Sequence, residues 1–193
     1  MLLSLNEENK FDIVHSDEMK EFVSLTEMED AQCVSQMCRS VGNISEVPKL
    51  HSDILQVFTL EHFIRLSSHA DTLVSLEVTR CYANLACNFN THKSIVQSRL
   101  LENISALCLS ADTDVCWFSV LELANLCLNV KTHPILKGKD LTSVLYKVIN
   151  DDLPQSHATD EVAFHKSIES KCYACMATSA LCQDSYFRGK GFN

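Results

Sequence analysis

Apolar residues in this chain recur at spacings of three and four, and the pattern itself repeats. Cys81-Tyr82-Ala83-Asn84-Leu85-Ala86 returns one period later as Glu122-Leu123-Ala124-Asn125-Leu126-Cys127. The same frame returns more faintly as Cys33-Val34-Ser35-Gln36-Met37-Cys38 and as Cys172-Tyr173-Ala174-Cys175-Met176-Ala177. With Gln36, Asn84, Asn125 and Cys175 aligned, the residues two before, one after and two after are apolar or small. Those three positions share one face of a helix. The preceding small residues (Ser35, Ala83, Ala124, Ala174) let a neighbouring helix approach. The reference position is polar in three of the four copies and is expected to face solvent or a ligand. A period of about 40 to 50 residues points to stacked helical units.

Start signals precede the long helices: Asp71-Thr72, Asp112-Thr113-Asp114 and Thr159-Asp160 are N-cap residues. Ahead of them lie medium helices, read from stripes such as Leu60, Phe63, Ile64, Leu66 and Leu101, Ile104, Leu107, Leu109. Leu141, Val144, Leu145, Val148 and Ile149 form another such stripe. Short helices are expected at 91–98 and 131–137, with Pro134 in a first turn and Gly138 at a C-terminal cap. The chain thus reads as one domain, 1–193, of four short-medium-long units at about 1–43, 44–90, 91–130 and 131–182. Residues 183–193 open an incomplete further unit, and 42–48 and 150–160 are the expected loops.

Composition supports a packed helical chain: Gly (4) and Pro (3) are scarce and 46% of residues are apolar. No apolar run reaches the roughly 18 residues needed to span a bilayer. The apolar start, 1–5, has no basic flank and is too short for a secretory signal. A cytoplasmic or nuclear location follows as the expectation. Ten cysteines within apolar-periodic segments are expected as reduced core thiols. The net charge is -9, with nine acidic and two basic residues in 1–30. Without a basic stripe, nucleic acid is disfavoured as the main partner.

Candidate chemistry is sparse. Cys172-x-x-Cys175 has no second ligand pair, so no metal or cofactor is expected. One of its sulfurs is expected inward and one outward. His51, His92, His133, His157 and His165 fall near loops and helix starts, where solvated imidazoles are expected. Trp117 is expected to pack. No glycine-rich phosphate loop is present, and no enzymatic constellation emerges.

Asn84-Leu85-Ala86 followed by 92–101, and Asn125-Leu126 followed by Ile135, Gly138 and Leu141, resemble the armadillo repeat, best over 70–150. The resemblance implies an all-α fold: a right-handed α-α superhelix, an armadillo-type solenoid of about four three-helix repeats. Its long third helices would line a concave groove. Family members bind extended peptides through an Asn ladder there, which implies roles for Asn84 and Asn125, with Gln36 as a substitute. Cys175 departs from the pattern. Some members place Trp four residues earlier, where this chain has Gln32, Arg80, Leu121 and Lys171; Asn88 and Asn129 stand one turn later. The expected groove set is therefore Gln32, Gln36, Arg80, Asn84, Asn88, Leu121, Asn125, Asn129 and Lys171. Its basic members favour a protein segment, extended or helical, that bears acidic residues. The expected function is a non-enzymatic scaffold or adaptor. The alternatives are a sensor of an anionic small molecule or nucleotide through Arg80 and Lys171, and a structural spacer that self-associates end to end.

Overall fold

The computed structural model describes residues 2–150 and 160–188. Its helices come in threes. The long ones are α3 (Ala31–Ser45), α6 (Thr72–Leu85), α9 (Thr113–Leu128) and α12 (Glu161–Leu181). Ahead of each stands a medium helix: α2 (Glu18–Leu25), α5 (Leu60–Ser67), α8 (Leu100–Leu107) or α11 (Leu141–Asn150). Ahead of those stand α1 (Glu7–His15), α4 (His51–Val57), α7 (Phe89–Gln97) and α10 (His133–Leu136), and α13 (Ser185–Arg188) follows α12. No strand occurs among the described residues, and the fold is an all-α solenoid. The chain forms two compact units, 1–91 and 92–193.

Every long helix begins at an aspartate. Asp30, Asp71, Asp112 and Asp160 each have extended backbone and accept from N–H groups of the first turn, satisfying donors that no helical carbonyl can reach. Asp30, Asp71 and Asp112 are equally spaced, and Asn43, Asn84 and Asn125 keep the same interval. This spacing corrects the alignment of the outer copies. Asn43, not Gln36, stands where Asn84 stands. In α12 the counterpart is Ala180, because Asp184 takes the turn role of Asn88 and Asn129: each accepts from the backbone N–H two residues on. The likeness of 33–38 to the inner copies misleads by two helical turns. Residues 42–45, expected in a loop, are the last residues of α3.

The far ends of the long helices are closed from within. Thr91 donates its hydroxyl to Leu85 O, and Thr132 donates to Leu126 O. The His51 Nε2–H donates to Ser45 O at 2.7 Å, and His133 Nε2–H donates to Cys127 O at 2.7 Å. His51, His92 and His133, expected to be solvated, are instead buried. A helix C-terminus packed in the interior needs donors for its last carbonyls, and imidazoles supply them. Gly138, at φ 93°, takes the left-handed conformation just past α10, as its cap position requires.

Unit 1 packs Phe58, Phe63 and Tyr82 ring against ring, with centroids 4.6 and 5.4 Å apart, and Val78, Leu85 and Ile54 are buried with them. In unit 2, α12 lies along α9 and α11. Its buried small residues Ser170, Ala174, Ala177 and Ala180 allow the close approach. The ten cysteines are all free thiols, but only Cys38, Cys81, Cys108 and Cys127 are buried. Burial pushes Cys38 and Cys127 up to about 12, so both remain protonated and inert. Cys172 and Cys175 are both exposed, which corrects the inward placement of one of them.

One core position is anomalous. Glu122 is fully buried in α9 and neither carboxylate oxygen has a hydrogen-bond partner. Burial raises its pKa well above the ordinary carboxylate value. The folded chain therefore keeps a proton that the unfolded chain loses. Stability from this group is whole below about pH 4.3 and declines as pH rises toward the folded value, by at most about 1.4 kcal/mol per pH unit. His51 acts oppositely: burial lowers its pKa, so its contribution is present above about pH 6.5 and lost as pH falls below that. Comparing wild type with Glu122→Gln isolates the carboxyl. The variant should gain stability over wild type between about pH 5 and about pH 8, measured by urea unfolding. Parallel curves would mean that the carboxylate finds water or a partner.

Candidate protein-binding surface

Two columns of half-buried side chains run along the long helices at i, i+4 spacing. In unit 1 the column is Leu76, Arg80, Asn84 and Asn88; in unit 2 it is Trp117, Leu121, Asn125 and Asn129. Residues four apart stand one above another on a helix, so each column presents one continuous edge. The sequence period pairs the two columns member by member.

The unit 1 column is knitted into its neighbour. The Asn84 amide donates to Gly42 O at 3.1 Å and to Ser45 Oγ at 3.0 Å. Both of its N–H groups are engaged, so Asn84 offers an incoming chain only its carbonyl oxygen. Asn88 donates to Pro48 O at 3.1 Å. Arg80 reaches across to Arg39 O and Asn43 Oδ1, both at 3.1 Å, and pairs with Glu77 at 3.0 Å and Glu46 at 3.5 Å. Glu77 also receives Arg39 at 2.6 Å, and Glu46 receives Lys10 at 2.9 Å. The expectation of Arg80 as an open cation is therefore corrected: its charge is compensated, and its side chain is 22% exposed. Arg80 passes over Gly42, where a Cβ would stand 2.7 Å from Nη2.

The unit 2 column is more aromatic. Trp117 packs edge-on against Phe118 at 4.7 Å and Tyr173 at 6.3 Å. Its indole N–H donates to Glu169 at 2.7 Å, and the Lys166 ammonium lies 6.0 Å from the ring centroid. Lys166 is also paired with Asp114 at 2.5 Å. Burial and the Glu169 carboxylate raise the Tyr173 pKa. The Asn129 amide donates to His92 Nδ1 at 3.2 Å.

Six expected residues thus fall into the two columns: Arg80, Asn84, Asn88, Leu121, Asn125 and Asn129. Gln32 and Gln36 do not, because they stand near the start of α3, two turns or more before Asn43. Lys171 lies on α12 and lines a separate cavity of about 530 Å³ with Lys147, Tyr146, Leu109 and Ser110. Leu76 and Trp117 join the columns without having been expected there. Trp117 stands eight residues before Asn125, two turns along the same edge, and that spacing is its signal. No group of three or more metal-ligating side chains occurs among the described residues, and no described helix is long and apolar enough to cross a membrane.

Neither a protein-family model nor a curated protein matches the chain. Solved structures do. A designed armadillo repeat protein in complex with the peptide (KR)4 aligns with a TM-score of 0.75 at 18% identity, covering 93% of this chain and 71% of that one. A computationally designed armadillo repeat protein for modular peptide recognition also aligns at 0.75, with 18% identity over 91% of this chain and 69% of that one. A third designed armadillo repeat protein gives 0.72 at 15% identity, with 93% and 89% covered. The fold is armadillo-like.

The bonds from Asn84 and Arg80 make the unit 1 column structural as well as exposed. Asn84→Ala should lower stability by about 1 kcal/mol by removing two hydrogen bonds, while the Ser45 hydroxyl still donates to Gly42 O at 2.7 Å. Gly42→Ala should cost less, about 0.5–1 kcal/mol, because its Cβ would displace only the end of the Arg80 side chain and Ala favours the helix. Chemical denaturation measures both. Losses below about 0.5 kcal/mol would mean that water replaces these contacts.

Proposed function

We propose that this chain is a non-enzymatic scaffold that binds a protein segment along the exposed edges of its long helices. The observation that carries the reading is the pair of half-buried columns ending in asparagines, on a fold shared with designed peptide-binding armadillo proteins. Each column combines an apolar end (Leu76 or Trp117) with amide groups one to three turns on. Apolar side chains supply area and amides fix an extended backbone. In unit 1 three cations, Lys10, Arg39 and Arg80, surround two carboxylates, Glu46 and Glu77. The carboxylates compensate most of that charge, so the remaining single positive charge gives only a slight preference for a segment with acidic residues there. Free thiols on every cysteine suit a reducing intracellular compartment.

A second reading draws on the cavity around Lys147 and Lys171, whose size and two ammonium groups suit an anionic small molecule. A rise in melting temperature with nucleoside phosphates, lost in Lys147→Ala, would favour it.

Selection from a displayed peptide library tests the main reading. Enriched peptides should bind wild type and lose about tenfold or more in affinity for Trp117→Ala and for Leu121→Ala, equivalent to about 1.4 kcal/mol. Gln56→Ala, on the exposed side of α4, should bind like wild type. Equal binding by all four proteins would remove the columns from the account.

A further inference from the structure

The corner where α8 turns into α9 has a counterpart in unit 1, and the two differ in polarity. In unit 1 the corner holds Ser67, Ser68 and Ser75, and the Ser75 hydroxyl donates to Ser67 O at 2.9 Å. One period on, the same positions are Cys108, Leu109 and Cys116, and the Cys116 thiol donates to Cys108 O at 3.2 Å. The bond is kept, but hydroxyls have given way to thiols and an isobutyl group. A thiol behaves as a small hydrophobe, so the corner in unit 2 is apolar. It lines the cavity of about 530 Å³, to which α11 and α12 contribute the other sides. Leu109 and Tyr146, both lining residues, are 45% and 51% exposed. Among the described residues, the charged groups that line the cavity are the ammoniums of Lys147 and Lys171. The carboxylates on α9 and α12 closest in sequence are engaged elsewhere. Asp112 caps α9, Asp114 pairs with Lys166, and Glu169 accepts from the Trp117 indole.

We propose that this cavity binds an aliphatic carboxylate, an acyl chain with one anionic head group. The inference rests on the reading of the cavity as a site for an anionic small molecule and names the chemical class. Cys108, Leu109, Cys116 and Val148 offer apolar surface to an alkyl chain. The two ammonium groups offer charge-assisted bonds to a carboxylate. The volume lies within the range of about 300–1,000 Å³ that small-ligand sites occupy. A nucleoside phosphate fits less well. Phosphates are held best by N–H groups at a helix start or by a guanidinium fork. The N–H groups of Asp114 and Val115, at the start of α9, are taken by the Asp112 carboxylate, which also places negative charge there. Among the described residues no arginine lines the cavity. Hydroxyls that could read a base or a ribose are engaged with the backbone: Ser110 Oγ accepts from the Asp112 N–H, and the Ser170 hydroxyl donates to Lys166 O.

Dodecanoate, kept below micelle formation, should raise the melting temperature of the protein. It should also slow alkylation of Cys116, followed by peptide mass spectrometry, and leave that of exposed Cys87 in unit 1 unchanged. Lys147→Glu reverses an exposed charge, and Leu109→Ser restores the polarity of Ser68 at an exposed position. Each should weaken dodecanoate binding about tenfold or more, with circular dichroism unchanged. Dodecyltrimethylammonium, which carries the same chain with the opposite charge, should leave Cys116 unprotected. Protection by adenosine triphosphate but not by dodecanoate would overturn the acyl class and leave the anion site standing. Protection by neither would remove both. Equal protection by the cationic chain, or dodecanoate binding indifferent to both substitutions, would reduce the effect to adsorption of alkyl chains and overturn the proposal.

Discussion

Long helix must meet long helix in one register, and side chains reaching to the neighbour's backbone enforce it. Between α3 and α6 the bonds are Asn84 to Gly42 O, Arg80 to Arg39 O and Cys81 to Cys38 O. Each donor addresses a carbonyl one turn or less from the next, so a slip of one turn would break all three at once. Apolar packing alone would not discriminate as sharply, because neighbouring turns of α6 present similar side chains. Gly42 belongs to the same device: without a Cβ it leaves room for the Arg80 guanidinium. Polar bonds thereby set the position of a contact whose stabilisation comes mainly from burial.

The same bonds limit what the exposed edge can offer. An asparagine that donates both N–H groups inward can accept from a ligand but not donate to it. Arg80, surrounded by Glu77, Glu46, Asn43 and the Arg39 carbonyl, is a poor point charge for a ligand and a good brace. The proposed binding edge and the architecture therefore share residues in unit 1. In unit 2 the column begins with an indole whose ring lies near Lys166 and whose N–H is held by Glu169. An aromatic edge with charged groups at its rim is suited to hold the stem of a long side chain as well as an extended backbone. The two columns are related by period but differ in chemistry, so each suits a different set of ligand side chains.

Much of the fold and of the two columns is legible in the sequence because helix periodicity and aspartate caps are local. The inner copies, Asn84 and Asn125, carry their pattern over eight consecutive positions, and the structure keeps them in step. The outer copies are misregistered when local likeness is weighed above the period. Cys33 to Cys38 resembles Cys81 to Ala86 by composition, yet the interval from Asp30 to Asp71 equals that from Asn43 to Asn84 and fixes Asn43 as the true counterpart. The histidines mislead for a related reason. At the start of a short helix an imidazole is ordinarily solvated, but His51, His92 and His133 also recur at that same interval. A polar residue that keeps the period of the core is placed by the core. Glu122 gives no such signal, since at that position unit 1 has a cysteine, Cys81, and nothing local separates a buried carboxyl from an exposed one.

The exceptions share a physical logic. A unit that repeats at a fixed spacing can vary its side chains wherever the neighbouring helix does not read them. Cys81 is read, through its bond to Cys38 O. Glu122 stands at the same position with no hydrogen-bond partner, and burial raises its pKa.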